Sequence, residues 1–297
     1  MDGVQVRAMK PEELELIPRF WSEDVGIPME LNVMKRWYLL DPEGFRVAVD
    51  TKNRIVGMAV VLKQCDNLFL MGYLGVSIRY RNNGVARLLL KNLISRSPTA
   101  NYGLSASADK LDMFFRRGFQ KVENTYAFAY IGKFCDHLDD SAKPTGVEVV
   151  TITAGDGQVA DLAVYDQVVN GFTRNLELIL LGDPASTVMA VKQEGKIIGF
   201  GKMQYYILGG AWLGPVYADN ARLARVLINA LLRSFHNKKC PYLFTIISDQ
   251  ARPLLKSLSL KFTDKLTRCY LKQDPKFLPS MKIDRVFAFD DPGFALL

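Results

Sequence analysis

The chain has 297 residues, 49% of them hydrophobic, and a formal net charge of +7, enough apolar material for two ordinary domains or one large one. No run of five basic residues occurs and no stretch approaches a bilayer span, so nucleic acid and membrane are set aside as partners; the excess of cations suits a compact phosphorylated ligand. Cys65, Cys135, Cys240 and Cys269 lie far apart with no C-x-x-C pair, and MDGVQVRAMKPEELELI has no continuous apolar run, so cytosol, or else nucleus, is the expected compartment, with no disulfide framework and no metal site.

A strand is expected over VQVRAM from Val4, followed by two helical stretches, KPEELELIPRFW and MELNVMKRWYLL, in which apolar residues recur at spacings of three and four. FRVAVDTKNRIVGMAVV, from Phe45, reads as two strands joined by a polar turn, and a further β-like stretch runs through LFLMGYLGVS. After a basic, amide-rich turn, VARLLLKNLIS reads as a helix, NYGLSAS as a strand, KLDMFFRR as a helix and FQKVENTYAFAYIG as a β-rich run. Strands that first meander and then alternate with helices describe an α/β (α+β) fold, a mixed, mostly antiparallel sheet flanked by helices.

The same order recurs later in the chain. FRVAVDTKNRIVGMAVV resembles TVMAVKQEGKIIGFGKM, with Val49 over Val191 and Gly57 over Gly199 at an offset of 142. VARLLLKNLI resembles LARVLINALL at an offset of 138, and SASADKLDMFFRRGF resembles ISDQARPLLKSLSLKF at 141, with Gly118 over Ser259. Three ordered matches at nearly one offset indicate two copies of one unit. They meet near HLDDSAKPTG, where Asp, Ser, Pro and Gly break any periodic pattern. The boundaries are set at 1–135 and 146–297. His137 in that linker and His236 in SFHNKKCP read as surface residues.

The turn in VSIRYRNNGVARLLLKNLI, Val76 to Ile94, carries the chemistry. A turn entering a helix offers unpaired backbone N–H groups, here from Asn82, Asn83, Gly84, Val85, Ala86 and Arg87, at the positive end of the helix dipole. Gly84 and Ala86 lack bulk, so an anion can approach the main chain, and Arg81 adds a charge-assisted hydrogen bond. A Gly-Lys-Ser/Thr ending and a G-x-G-x-x-G are both absent, which argues against the usual nucleotide loops.

Val76, Tyr80, Arg81, Gly84, Val85 and Ala86 resemble the acetyl-CoA motif Arg/Gln-x-x-Gly-x-Gly/Ala of the GNAT acyltransferases, and FFRRGF, Phe114 to Phe119, resembles that family's Tyr-x-x-x-Gly-Phe element. The matching elements are in family order over residues 4–131, and the whole is similar to tandem GNAT proteins with a degenerate second copy. In that copy Asp219 stands at the place of Arg81 and Arg222 at that of Gly84; a carboxylate there would occupy the anion site as an N-cap. The resemblance implies acetyl-CoA as co-substrate, held by Leu74, Gly75 and Val76, by residues 81–87, and by Ser107 and Phe114. The acetyl group would pass directly to an amine of a small molecule or peptide, without an acyl-enzyme. Main-chain N–H groups near Gly75 and Val76 would face the thioester carbonyl.

Many members place at position 114 a Tyr that protonates the leaving sulfur; here Phe114 removes it, and Tyr73 or Tyr126 could substitute. Asp109, Asp112, Glu30 and Asp66 are the candidate bases, and Tyr73 with Asp109 forms the catalytic pair named from sequence. Without an acid at 114, a non-catalytic acyl-CoA-binding or sensing protein is the alternative. Glycine N-acyltransferase-like conjugation is a third reading, although those proteins carry the motif in their C-terminal half. The internal repeat is compatible with a monomer; the oligomeric state and the acceptor stay open.

Overall fold

The computed structural model describes residues 3–135, 144–235, 238–274, 280–291 and 293; His137, His236 and most of HLDDSAKPTG lie outside the described residues. β1 (Gln5–Ala8), β2 (Phe45–Val49), β3 (Ile55–Cys65) and β4 (Leu68–Val76) form an antiparallel meander, and β5 (Asn101–Ser107) joins β4 in parallel. The second copy repeats this with β7 (Val147–Ile152), β8 (Thr187–Gln193), β9 (Lys196–Tyr205), β10 (Ala211–Ala218) and β11 (Tyr242–Ser248). The last strands are then exchanged. β6 (Gln120–Lys133) of the first copy lies against β11 of the second, β12 (Leu260–Tyr270) of the second lies against β5 of the first, and β6 and β12 pair with each other. With the short β13 (Val286–Ala288), the described residues form one sheet of order β1-β2-β3-β4-β5-β12-β6-β11-β13-β10-β9-β8-β7.

Helices cover both faces. α3 (Val85–Ile94) buries Val85, Leu89, Leu90 and Leu93, a stripe at three- and four-residue spacing, against β2, β3 and β4. Each such leucine taken out of water contributes about 1.5–3 kcal/mol. α4 (Ala108–Phe115) lies against β5 and β12, and α7 (Ala221–Phe235) repeats the α3 stripe over β8, β9 and β10. On the opposite face α2 (Leu31–Leu40) from the first copy packs against α6 (Leu176–Leu181) from the second, with α5 (Gln158–Asn170) beside it; Met34 and Trp37 of α2 are fully buried there.

The first expected helix, KPEELELIPRFW, is not a regular one. It breaks into a 3-10 segment Pro11–Leu16, the single turn α1 (Ile17–Arg19) and a π-helical turn Phe20–Val25 that stops at Gly26, φ 88°. Pro18 has no N–H to donate to the carbonyl of Leu14, so a regular α-helix cannot run through it. The irregular path sets Trp21 and Val25 directly over β4: a Cβ added at Gly75 would stand 2.9 Å from the Trp21 ring and 3.1 Å from Val25.

Candidate acyl-CoA site and its closed counterpart

Two irregularities of β4 open a cleft in the sheet. Val60 pairs with Gly72 and Met58 with Gly75, so Tyr73 and Leu74 face one residue of β3; Tyr73 takes up the extra length with φ 50°. β4 pairs with β5 only over Leu68–Leu70 and Asn101–Gly103, and beyond this the two strands diverge. A cavity of about 320 Å³ passes through the divergence, lined by Tyr73, Leu74, Ser107, Met113 and Phe114, with Tyr206 and Leu266 contributed by the second copy. It adjoins a larger one of about 660 Å³, which shares Trp21, Leu74, Lys110 and Met113 with it.

The larger cavity ends on the turn before α3. Asn82 (φ 64°) and Gly84 (φ 79°, the N-cap) reverse the chain so that α3 starts at the cavity wall; Gly84, Val85, Ala86 and Arg87 all line it. The first hydrogen bond of the helix is Leu88 N to Gly84 O, so the amides of Val85, Ala86 and Arg87 have no partner within the helix. Arg87, Arg116 and Arg117 line the same cavity, and among the described residues none of them has a carboxylate partner. Burial, and then the neighbouring Arg116 and Arg87, lowers the pKa of Arg117. Arg116 and Arg117 belong to the segment following α4, and sequence reasoning had passed over them.

Most of the other residues named from sequence are in these walls. Gly75, Val76, Arg81 and Asn82 line the larger cavity and Leu74 both, while Asn83 is exposed and lines neither. Arg81 is tied up: its Nε donates to Val76 O (3.1 Å) and a terminal N–H to Val25 O (2.9 Å), joining the π-helical turn to the end of β4. Asp109 is exposed at the start of α4, where it is paired with Lys110 and accepts a hydrogen bond from Ser107 Oγ (2.6 Å). Those contacts lower its pKa, the Lys110 bond foremost and then Ser107. Phe114 is buried edge-on to Phe119, an apolar wall. Tyr126 lies on β6 with the Lys265 ammonium 3.6 Å from its ring centre, and Glu30 is the N-cap residue of α2.

Tyr73 stands apart from these. Its O–H donates to Asp291 Oδ1 at 2.5 Å, and Asp291 Oδ2 accepts from Trp37 Nε1 at 3.2 Å. Beside them the Arg36 guanidinium bonds Asp290 Oδ2 (3.2 Å) and Gln204 Oε1 (2.8 Å). Lys202 Nζ lies 2.8 Å from Asp290 Oδ1, an ion-pair distance, while directing its hydrogen bond to Ile179 O. Asp290 and Asp291 are 0% exposed.

The segment that delivers these carboxylates also fills the second copy's cleft. β10 and β11 pair in parallel over Ala211–Leu213 and Leu243–Thr245, with a bulge at Gly214–Pro215, and would diverge as β4 and β5 do. β13 lies in the gap, antiparallel to both: Val216 and Tyr217 register with Ala288 and Val286, and Ile247 with Ala288. Phe289 continues the seam, donating its N–H to Ile246 O and accepting from Trp212 Nε1. Asp219 is bound by Tyr165 and Arg285.

A family profile described as an acetyltransferase (GNAT) domain matches residues 29–134, and a second profile of the same description matches 162–279. The chain belongs to the GNAT acetyltransferases, in tandem form. The GNAT fold recurs in solved structures: a candidate acetyltransferase from Pyrococcus horikoshii (TM-score 0.75, 17% identity, 97% of this chain and 95% of that one) and a GCN5-related N-acetyltransferase from Sphaerobacter thermophilus (0.64, 16%, 91% and 96%). A tandem GNAT protein from the clavulanic acid biosynthesis pathway is also similar (0.64, 13%, 90% and 98%). No curated protein sequence matches the chain. Membership of this family supports acyl-CoA-dependent N-acetyl transfer in general.

Proposed function

We propose that this tandem GNAT protein transfers an acetyl group from acetyl-CoA to an amine of a small molecule or peptide, by direct attack within a ternary complex. The first copy would do the chemistry and the second would support it. The observation that carries the reading is the pair of adjoining cavities, one ending on the α3 amides with Arg87, Arg116 and Arg117, where a pyrophosphate would fit, the other in the β4–β5 divergence, where a thioester would reach Tyr73. Amides without a helical partner and guanidinium groups without a carboxylate partner would supply the positive potential a polyphosphate needs, and the apolar inner cavity would exclude water from the reacting carbon. Leu74 lines both cavities and Gly75 and Val76 the larger, and a main-chain donor on this stretch would stabilise the oxyanion. Ser107 would bond the pantetheine arm, giving up its bond to Asp109. Asp109, exposed and ion-paired, is the weaker of the two catalytic candidates.

The apolar Phe114 supports a second reading, an acyl-CoA-binding protein without turnover. One experiment separates the two. Gly84→Arg puts a long side chain on the anion surface at a left-handed position and should weaken acetyl-CoA by about 100-fold or more in calorimetry. The wild type should also release CoA thiol when given acetyl-CoA and a panel of amines. Unchanged affinity in Gly84→Arg overturns the site, and tight binding without thiol release from any amine overturns the enzyme reading.

A further inference from the structure

The inner cavity contains no carboxylate: among its described lining residues, and those of the larger cavity, there is no Asp or Glu. An amine arrives largely as its ammonium and must lose a proton before it can attack, and a hydroxyl that touches both the cavity and a base beyond it gives that proton a path. Tyr73 and Ser107, which both line the inner cavity, have such a base. Ser107 reaches Asp109, whose carboxylate is exposed, paired with Lys110 and held below its ordinary pKa, the environment of a weak base. Tyr73 reaches Asp291, which is fully buried.

We propose that Asp291, acting through the Tyr73 hydroxyl, is the proton acceptor of the acyl-transfer reaction, so that the C-terminal segment completes the active site of the first copy; this rests on the acyltransferase reading above. The geometry is specific to a relay. Asp291 Oδ1 accepts from Tyr73 O–H (2.5 Å) and Gly293 N (2.7 Å), and Oδ2 accepts from Trp37 Nε1 (3.2 Å), all neutral donors. The charged and titratable groups around it are Arg36 on α2, Lys202 on β9, Tyr206 before β10, Tyr73 on β4 and its own neighbour Asp290. Arg36 and Lys202 are engaged by Asp290. Burial therefore raises the pKa of the Asp291 carboxyl, against the opposing pull of Arg36. Tyr73 is fixed on the cavity side as well. Its ring is edge-on to Trp21 at 6.0 Å, and Gly293 lies so close that an added Cβ would stand 2.3 Å from two ring carbons.

The protons balance. The ammonium gives one proton to the Tyr73 oxygen as the Tyr73 proton passes to Asp291; the free amine attacks the thioester carbon and a C–N bond forms. The tetrahedral intermediate collapses with cleavage of the C–S bond. The sulfur takes a proton from Tyr73, which recovers one from Asp291, and the second nitrogen proton goes to solvent. Ammonium and thioester become amide, thiol and one released proton, with the relay restored. The same route supplies the acid that Phe114 cannot.

The test measures CoA-thiol release from acetyl-CoA and an amine panel between pH 5.5 and 9, for wild type, Asp291→Asn, Tyr73→Phe and the double variant, with calorimetric CoA affinity and thermal melting on each. Asp291→Asn and Tyr73→Phe should each lower kcat/KM by about 10²- to 10⁴-fold, with the double variant no slower than the worse single one, because the two act as a unit. CoA affinity should change little. Wild-type rate should fall as pH drops through the Asp291 ionisation, and Asp291→Asn should lose that acid limb. Tyr73→Phe removes a single oxygen and keeps the ring packing, so it tests the relay even where Asp291→Asn folds poorly. An unchanged rate in Tyr73→Phe, or an acid limb retained in a folded Asp291→Asn, overturns the relay alone. A wild type that binds CoA but acylates no amine overturns the acyltransferase reading and the relay with it.

Discussion

Asp290→Ala should be among the costliest single substitutions in the chain. Its carboxylate is 0% exposed and lies between Arg36, 3% exposed at the side chain, and Lys202, 0% exposed. Removing it leaves two cations in a dry site with the more distant Asp291 as their remaining carboxylate, and breaking a buried pair in this way costs about 3–5 kcal/mol. At about 2–4 °C per kcal/mol for chains of a few hundred residues, the melting temperature should fall by roughly 10 °C. The measurement is urea denaturation followed by tryptophan fluorescence, with melting by calorimetry. Glu23→Ala serves as the control, since it removes an ion pair with Arg19 whose side chains are 78% and 59% exposed, and it should scarcely move the midpoint. Replacing all four charges, Arg36→Met, Lys202→Met, Asp290→Leu and Asp291→Asn, should recover most of the loss, because no lone charge then stays buried. A midpoint shift for Asp290→Ala no larger than that for Glu23→Ala would refute the reasoning.

Titration of the wild type should show one CoA per chain, because β13 fills the β10–β11 gap; two equal sites by calorimetry would show that the segment leaves it. Burial, and secondarily Arg36, hold Lys202 at about pKa 8 against an ordinary 10.5. The unfolded chain therefore binds more protons between about pH 8 and 10.5, and this group makes stability rise with pH across that window. Lys202→Met should flatten the rise in denaturation midpoint between pH 8 and 9.5, and an unaltered slope would count against it.

The turn before α3 was legible because it depends on local features: a glycine that permits φ 79°, small residues after it, and an amphipathic helix beginning at once. The repeat likewise disclosed the strand meander of each copy and the strands that alternate with helices after it, while the parallel pairing of β5 and β11 comes from the structure. The irregular segment Pro11–Val25 was misread because its apolar spacing is helical while Pro18 forbids the regular bond pattern. The carboxylates that engage Tyr73, Arg36 and Lys202 were out of reach for another reason. FAFDDPG reads as an apolar run ending in a polar turn, and nothing local says that both aspartates are buried some 200 residues from their partners on α2 and β4. A faint signal existed: VFAF falls after the end of the repeat and has no counterpart in the first copy.

The strand exchange explains why the two copies should be considered one structural unit. Separated at the linker, the first copy would keep β6 but lose β12, exposing the edge of β5 from Gly103 to Ser107. That edge borders the cleft. Leu266 of β12 pairs with Ser107 and also lines the inner cavity, so the far wall of the β4–β5 divergence is held in place by a strand from the second copy. Tyr73, on the near wall, is held by Asp291 and Gly293 from beyond β13. Both walls therefore depend on residues after position 260, and a second copy that has given up its own cleft to β13 still fixes the width and the hydrogen bonding of the first.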